Sequence, residues 1–388
     1  MNAQLYMQRM KEIQNNLLEF LENDELSDES YKSLQKLLEN RQQSYDPYEL
    51  KSILYLINNI VNNHFCGIPF FAKAEQILQL LSKQIKQFFT NSDIFNIFMN
   101  NKRILLFLFE EKILFIDDHI LSELIRIKKG NYTEYFNPEI KLFEGCEIEK
   151  DDSFYEKRKI GKNDKYLYKL IQQDQIDDFI VFVNQSNISI KDTKIESTIY
   201  ETNPFLIENE PNLIEYSAFY GSIQIFKYLF MNNVRLTPSL YLYAIHGNNP
   251  EILQFLEENK ITPEDRTYKK CLKESIKCHH HNFTDYFLDN LADLSNLYFN
   301  FRDFNDNYLS YCFEYYNFSY FPETLNELCV LDYACKYDYY VIVNSFMETI
   351  SADEINSMII LLFLNPIISK KNLKTVSNTK IFMIQFFV

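Results

Sequence analysis

The feature that most constrains this sequence is a segment that occurs more than once. Residues 212–229 and residues 331–343 share a pair of small residues followed, seven positions later, by a branched apolar residue. The small pair is Ser217-Ala218 in the first copy and Ala334-Cys335 in the second. The apolar spacing in each copy is that of two short helices joined by a tight turn. Recurring helix pairs of this kind stack on one continuous core, so the sequence predicts an all-α fold.

Further copies are predicted around and between these two. Thr237-Pro238 and Thr262-Pro263 recur 25 residues apart. Each pair is predicted to start a helix, because threonine caps a first turn and proline fits the first helical position. These helices are expected to end near Gly247 and His279, with a second apolar stretch after each. A degenerate first copy is expected around Asp174.

These segments resemble the ankyrin repeat, whose pattern is T-P-L-H-x-A-A-x-x-G-H-x-x-I-V-x-x-L-L. The run that includes residues 201–211 and 237–247 is similar to a divergent ankyrin-related domain with no assigned function, expanded in certain protists. The resemblance covers about residues 163–350. It implies a solenoid that binds another protein and carries no catalytic residue. Units of about 26 residues, against about 33 in ankyrin repeats, imply that the turns between helix pairs are shortened.

Other segments flank the repeats. Residues 1–127 carry apolar residues at helical spacing, as in Ile53–Val61 and Ile77–Phe88, and predict a helical N-terminal domain. Residues 128–162 alternate acidic and basic blocks with few apolar anchors, which is typical of a charged linker. Residues 351–388 form an atypical apolar tail without the repeat pattern. Because a solenoid needs a polar outer face on its last unit, this tail indicates a truncated array.

Composition excludes several classes of function. The chain of 388 residues has only 6 glycines, against roughly 27 at average usage. They lie too far apart for a phosphate loop, a dinucleotide-binding turn or a nucleophile elbow. A net charge of −15 disfavours nucleic acid as a partner. No apolar run approaches the ~18 residues of a membrane span, and no secretory signal is present. We expect an intracellular, cytoplasmic protein with reduced cysteines.

Two clusters with reactive or metal-binding side chains are interpreted as structural. Cys278-His279-His280-His281, with Cys271 and His246 nearby, is the segment most similar to a metal ligand set. Adjacent helical side chains point about 100° apart, however, and cannot all reach one ion. His64 and Cys66 are close in sequence but lack an activating environment. The sequence therefore predicts no metal, no cofactor and no catalytic residue.

The candidate binding surface is implied by position in the repeat. In the ankyrin pattern, the two residues between the small pair and the turn glycine are exposed on the concave face of the first helix. Here these positions are rich in aromatic residues, which are favoured anchors at protein interfaces. They are Phe219-Tyr220, Ile245-His246, Lys277-Cys278 and Lys336-Tyr337. Burial of this row under a neighbouring helix or the N-terminal domain is the structural alternative.

We therefore predict a non-enzymatic adaptor that binds another protein along the first helices of its repeats. Two alternatives stay open. One is an enzyme whose site lies in the N-terminal helices or in a cleft between the domains. The other is a decayed family member without a defined activity, whose damaged C-terminus leaves it poorly folded.

Overall fold

The structure, a computed structural model, describes residues 2–22, 28–39, 46–64, 68–127, 129–146, 152–265, 267–291, 308–321 and 328–349. Every regular element in these ranges is a helix, which confirms the all-α prediction, and an isolated bridge joins Lys194 to Asn212. None of the described helices is both long and apolar enough to cross a membrane. The predicted tail, residues 351–388, lies outside the described residues.

The α-helices are, in chain order, α1 (Ala3–Glu22), α2 (Asp28–Glu39), α3 (Pro47–Asn63), α4 (Ile68–Phe88), α5 (Asn91–Phe98), α6 (Lys102–Glu110), α7 (Asp118–Arg126), α8 (Tyr132–Tyr135), α9 (Asn137–Phe143), α10 (Asp152–Ile160), α11 (Tyr166–Gln172), α12 (Ile176–Ser186), α13 (Pro204–Asn209), α14 (Leu213–Phe219), α15 (Ile223–Met231), α16 (Leu240–His246), α17 (Pro250–Glu258), α18 (Lys269–Cys278), α19 (His281–Tyr286), α20 (Tyr308–Glu314), α21 (Leu328–Lys336) and α22 (Tyr340–Thr349). A π-helix, Phe287–Leu291, follows α19, and a 3₁₀-helix, Phe318–Tyr320, follows α20. Both N-terminal segments predicted as helical are helices, within α3 and α4.

The chain divides into two compact units, residues 57–299 and residues 1–56 with 300–388. In the unit of residues 57–299, consecutive helix pairs pack against one another. The first helices α11, α14, α16 and α18 contact each other in succession, and the second helices α12 and α15 also pack together. Hydrogen bonds join successive turns: Asp174 accepts from the backbone N–H groups of Gln224 and Ile225, and Asn249 donates to the carbonyl oxygen of Gly221.

Each of these pairs turns through one residue in the left-handed region. These residues are Asp174 (φ 50°), Gly221 (φ 66°), Asn248 (φ 45°) and His279 (φ 57°). Gly247 serves a different purpose, because its φ of −72° suits any residue. A Cβ there would lie 3.0 Å from the carbonyl oxygen of Phe219 and still closer to that of Ala218. Gly247 is therefore required by the close approach of α14 and α16.

The predicted helix starts at the two Thr-Pro pairs are wrong. Helix α16 begins at Leu240, two residues after Pro238, and α18 begins at Lys269, six residues after Pro263. The hydroxyl of Thr237 lies 2.8 Å from that of Ser239, which donates to a carboxylate oxygen of Glu215 in the preceding pair. The threonine thus stabilises the connection between two pairs, where the side chain has a partner, rather than the first turn of a helix.

The predicted charged linker is also wrong for the described part of residues 128–162. That segment contains α8, α9 and α10 and belongs to the unit of residues 57–299. Arg158 is 1% exposed and donates to both carboxylate oxygens of Glu139, at 2.7 and 2.9 Å, and to the Tyr135 carbonyl oxygen at 2.8 Å. The segment therefore has the charged composition of a linker, but Arg158 and Glu139 pack as residues of a core do.

The other unit contains the last predicted repeat. Helices α21 and α22 pack together there, and α1 packs against α22 and the 3₁₀-helix. The buried Gln14 donates to Asn317 at 3.1 Å and accepts from the backbone N–H of Phe318 at 2.6 Å. The division therefore differs from the predicted boundaries after residues 127 and 350, because α1 and α2 pack with the last pair and α4 to α10 pack with the earlier ones.

Candidate functional site

Most of the row predicted to be exposed is buried. Phe219 and Tyr220 at the end of α14 and Ile245 and His246 at the end of α16 are at most 9% exposed. In α18, Lys277 is half-buried and Cys278 is buried. Lys336 is exposed and Tyr337 half-buried, but both belong to the other unit. The expected exposure is thus wrong for the residues at the ends of α14 and α16.

The chain itself covers this row. Helix α13 begins at Pro204 because the side chain of Asn203 caps it, accepting from the backbone N–H groups of the first turn. This places the ring of Phe205 4.0 Å from that of His246 and 6.0 Å from that of Phe219, stacked on both. The end of α3 completes the cover, where a ring nitrogen of His64 lies 2.8 Å from the Cys278 carbonyl oxygen. The row is therefore buried by other helices of the chain, which was the structural alternative to an exposed binding surface.

An opening lies beside the covered row. A recess of about 400 Å³, its open mouth included, is lined in part by Phe219 and Tyr220. Val61 and Phe71 add apolar surface, and Lys162 is the cation that lines it. The Nζ atom of Lys162 lies 5.2 Å from the centre of the Tyr220 ring. Two of the predicted binding residues therefore still border a surface recess.

The carboxylate of this recess is held by the protein. Glu201 is 1% exposed, and burial raises its pKa. Its oxygens accept from the backbone N–H groups of Asn203 at 2.9 Å and of Asn163 at 3.4 Å. Lys102, buried nearby, donates to two carbonyl oxygens, and burial lowers its pKa to about 7. Glu201 and Lys102 therefore form hydrogen bonds with the protein backbone, which indicates a structural role.

A second cluster joins the ends of α16 and α18. His246 is the last residue of α16, and Glu274 and Cys278 lie one turn apart on α18. The Nε2 atom of His246 lies 2.7 Å from Oε1 of Glu274, and Nδ1 lies 3.5 Å from Sγ of Cys278. A neutral imidazole protonated at Nε2 satisfies both contacts, with the thiol donating to Nδ1. The ammonium of Lys277 is 2.8 Å from the same carboxylate oxygen.

The electrostatics of this cluster follow from burial and pairing. Burial lowers the pKa of His246, although Glu274 opposes this shift. Burial alone would raise the pKa of Glu274, but the cation of Lys277 and the hydrogen bond from His246 outweigh it and lower that pKa to about 2. The cluster therefore holds a neutral imidazole beside an ionised carboxylate at neutral pH.

Three further histidines are buried around the cluster. His64, His279 and His280 are at most 4% exposed, and the rings of His64 and His280 are 4.4 Å apart. The Nε2 atom of His280 is buried without a hydrogen-bond partner, and burial lowers the pKa of this histidine well below its usual value. Four of the chain's 6 histidines thus meet in one region. Cys66, predicted to be inert, lies outside the described residues.

The sequence analysis placed His246 near Cys278 but did not include Glu274. Of the candidate ligands that it named, the structure brings His246 and Cys278 together, with Glu274 as the third member. The signal was present in the repeat itself, because His246 and Cys278 occupy the same position of successive first helices.

Neither a protein-family model, nor a curated protein, nor a solved structure matches this chain.

Proposed function

We propose that this chain is a non-enzymatic protein-binding module built on ankyrin-like stacked helix pairs. The support is the succession of α11/α12, α14/α15, α16/α17 and α18/α19, whose first helices pack in order. Repeated pairs of this kind build rigid, extended scaffolds. Asp174, Gly221 and Asn248 give the pairs equivalent left-handed turns. On this proposal the fold supplies a scaffold, and the binding site is a local feature of its surface.

The recess beside Phe219 and Tyr220 is the observation that carries this proposal. The remainder of the predicted row in this unit is covered by α13 and by the end of α3, whereas the recess leaves Phe219 and Tyr220 beside an opening. Its volume of about 400 Å³ includes the open solvent at its mouth, so the recess offers a partner side chain a shallow contact surface rather than a deep cavity. Aromatic residues that line a pocket are frequent hot spots of protein interfaces.

The charged residues that line the recess favour binding over catalysis. They are Lys162 and Glu201, and Glu201 already accepts two backbone hydrogen bonds. Catalysis by a nucleophile needs a reactive group beside a base, and catalysis by paired carboxylates needs a second acid. The described residues of the lining offer neither arrangement. This supports the adaptor over an enzyme acting at this place.

The partner segment is expected to be basic and to carry an exposed aromatic or large apolar side chain. A net charge of −15 raises the local concentration of cationic segments and speeds their encounter. The apolar side chains of Val61, Phe71 and Phe219 at the recess then favour contact with an apolar side chain of the partner. Lys162 keeps the cations of the partner away from the mouth itself.

A random-peptide display library selected on the folded full chain tests this proposal. We expect the selected peptides to be basic and to contain an aromatic residue. Tyr220→Ala should weaken their binding by at least about 10-fold, as expected for a hot-spot residue, and Val61→Phe should do so by filling the recess. Tyr166→Ala is the matched control, because Tyr166 is 55% exposed and does not line the recess.

The melting temperature of each variant shows whether it is folded. Peptides that bind both recess variants as tightly as the wild type would contradict the proposed site. A library that yields no specific peptide would contradict the proposed function.

A further inference from the structure

We propose that His246, Glu274 and Cys278 form a binding site for a divalent metal ion of the zinc type. One ligand atom from each, a ring nitrogen, a carboxylate oxygen and the thiol sulfur, lies within 4.8 Å of the others. Zinc sites use these three ligand types. None of the three residues lines the recess, so the site is independent of the proposed binding function.

The distance between two of the donors suits a tetrahedral ion. Metal bonds of about 2.0–2.1 Å to nitrogen and about 2.3 Å to sulfur, at the tetrahedral angle, separate the two atoms by about 3.5 Å. Nδ1 of His246 and Sγ of Cys278 are 3.5 Å apart. The carboxylate of Glu274 now accepts from Nε2 on the other side of the ring, so its side chain must release that bond and move toward the ion, and water completes the tetrahedron.

The surroundings hold the donors ready for an ion. The ring of His246 is stacked on Phe205 at 4.0 Å, so its orientation is fixed before an ion arrives. Its Nδ1 faces the Cys278 sulfur at 3.5 Å, and a metal takes the lone pair of a neutral imidazole nitrogen. The ammonium of Lys277, which now pairs with Glu274 at 2.8 Å, must turn away from that oxygen when an ion binds, and its side chain is half-buried rather than enclosed. Binding releases the Cys278 proton to solvent, because the thiolate is the ligand.

The donors come from different helix pairs, which gives the site a structural consequence. His246 ends α16, whereas Glu274 and Cys278 belong to α18. A metal ion bonded to all three therefore crosslinks two successive first helices. Because an ion that binds only the folded chain stabilises it, the melting temperature should rise with metal concentration.

The same geometry also fits a cysteine nucleophile with His246 as base and Glu274 as the group that orients it. Burial favours the metal. Cys278 and His246 are at most 1% exposed, so a substrate carbonyl cannot reach the sulfur while the helices stay packed. A bare ion is small enough to enter during local opening.

Titration of the chelator-treated full chain with Co²⁺ and Zn²⁺ tests the site. We expect one Co²⁺ per chain, a thiolate-to-cobalt charge-transfer band, its loss on addition of Zn²⁺, and a higher melting temperature with either ion. Cys278→Ser should abolish the band. Glu274→Gln should weaken affinity by at least about 10-fold, the smallest effect expected even for an outer-shell partner. Cys271→Ser is the matched control, because Cys271 is also buried on α18.

Failure of the wild type to bind either ion would overturn the proposal, as would a charge-transfer band that survives in Cys278→Ser. Rapid alkylation of Cys278 by iodoacetamide in the folded chain, undiminished by Zn²⁺, would also overturn it and favour the nucleophile. Because Glu274→Gln preserves the size of the side chain, it keeps the test decisive if the cysteine variant fails to fold. These outcomes are separate from peptide binding at the recess.

Discussion

Replacing Gly247 by alanine tests whether the helix pairs stack as closely as described. The backbone at Gly247 has φ −72° and ψ −6°, which alanine adopts without strain. The added Cβ would, however, lie 3.0 Å from the Phe219 carbonyl oxygen, 3.3 Å from the Gly221 nitrogen and closest to the Ala218 carbonyl oxygen. All three are backbone atoms and cannot rotate away. Relief therefore requires α14 and α16 to separate.

We expect Gly247→Ala to cost about 3 kcal/mol, the upper end of the usual penalty for overpacking. For a unit of this size that lowers the melting temperature by roughly 6–12 °C. Gly145→Ala is the matched control, because its φ is 73° and nothing lies within 4 Å of the new Cβ. Its cost should be only about 1 kcal/mol, from backbone strain. Thermal unfolding followed by circular dichroism measures both, and equal losses in the two variants would refute the close approach.

Two further predictions concern buried charges. Arg158→Met should destabilise the chain by about 3 kcal/mol in urea unfolding, because it leaves the Glu139 carboxylate unpaired; adding Glu139→Gln should recover part of the loss, and no recovery would contradict the pairing. The pKa of Glu274, lowered to about 2 in the folded chain, means that its ionised form stabilises the fold above about pH 4.5 and that this stability is lost as the pH falls toward 2. The stability difference between wild type and Glu274→Gln should therefore shrink by about 3 kcal/mol over that range, and a difference independent of pH would contradict the assignment.

Periodicity predicted the helices well and the ends of helices poorly. The apolar spacing of Ile53–Val61 and Ile77–Phe88 depends on one helix face, so it can be recognised in the sequence. Thr90 caps α5 through a reciprocal bond with Asp93, so a threonine followed three residues later by an acidic residue does mark a helix start here. The helix start predicted at Thr237 was wrong because the same hydroxyl can cap a helix or form a hydrogen bond within a connecting segment. The position of Glu215 in space decides between these two roles.

The candidate site was predictable in position but not in environment. The repeat pattern placed His246 and Cys278 at equivalent positions, and the structure brings them within 3.5 Å. The sequence could not show that Phe205 covers them, because α13 lies outside the repeat pattern. Arg158 illustrates the same limit, since a charge that pairs inside a core has the same local sequence as one in solvent. Burial by distant segments is a tertiary property, and local patterns do not encode it.

A crystal structure of the full chain with a selected basic peptide shows whether the peptide binds at the recess. We expect an aromatic or large apolar side chain of the peptide at the recess, in contact with Phe219 and Tyr220. We also expect α13 to stay packed on His246 in the complex. A peptide seated elsewhere on the chain, with the recess closed or empty of it, would contradict the account.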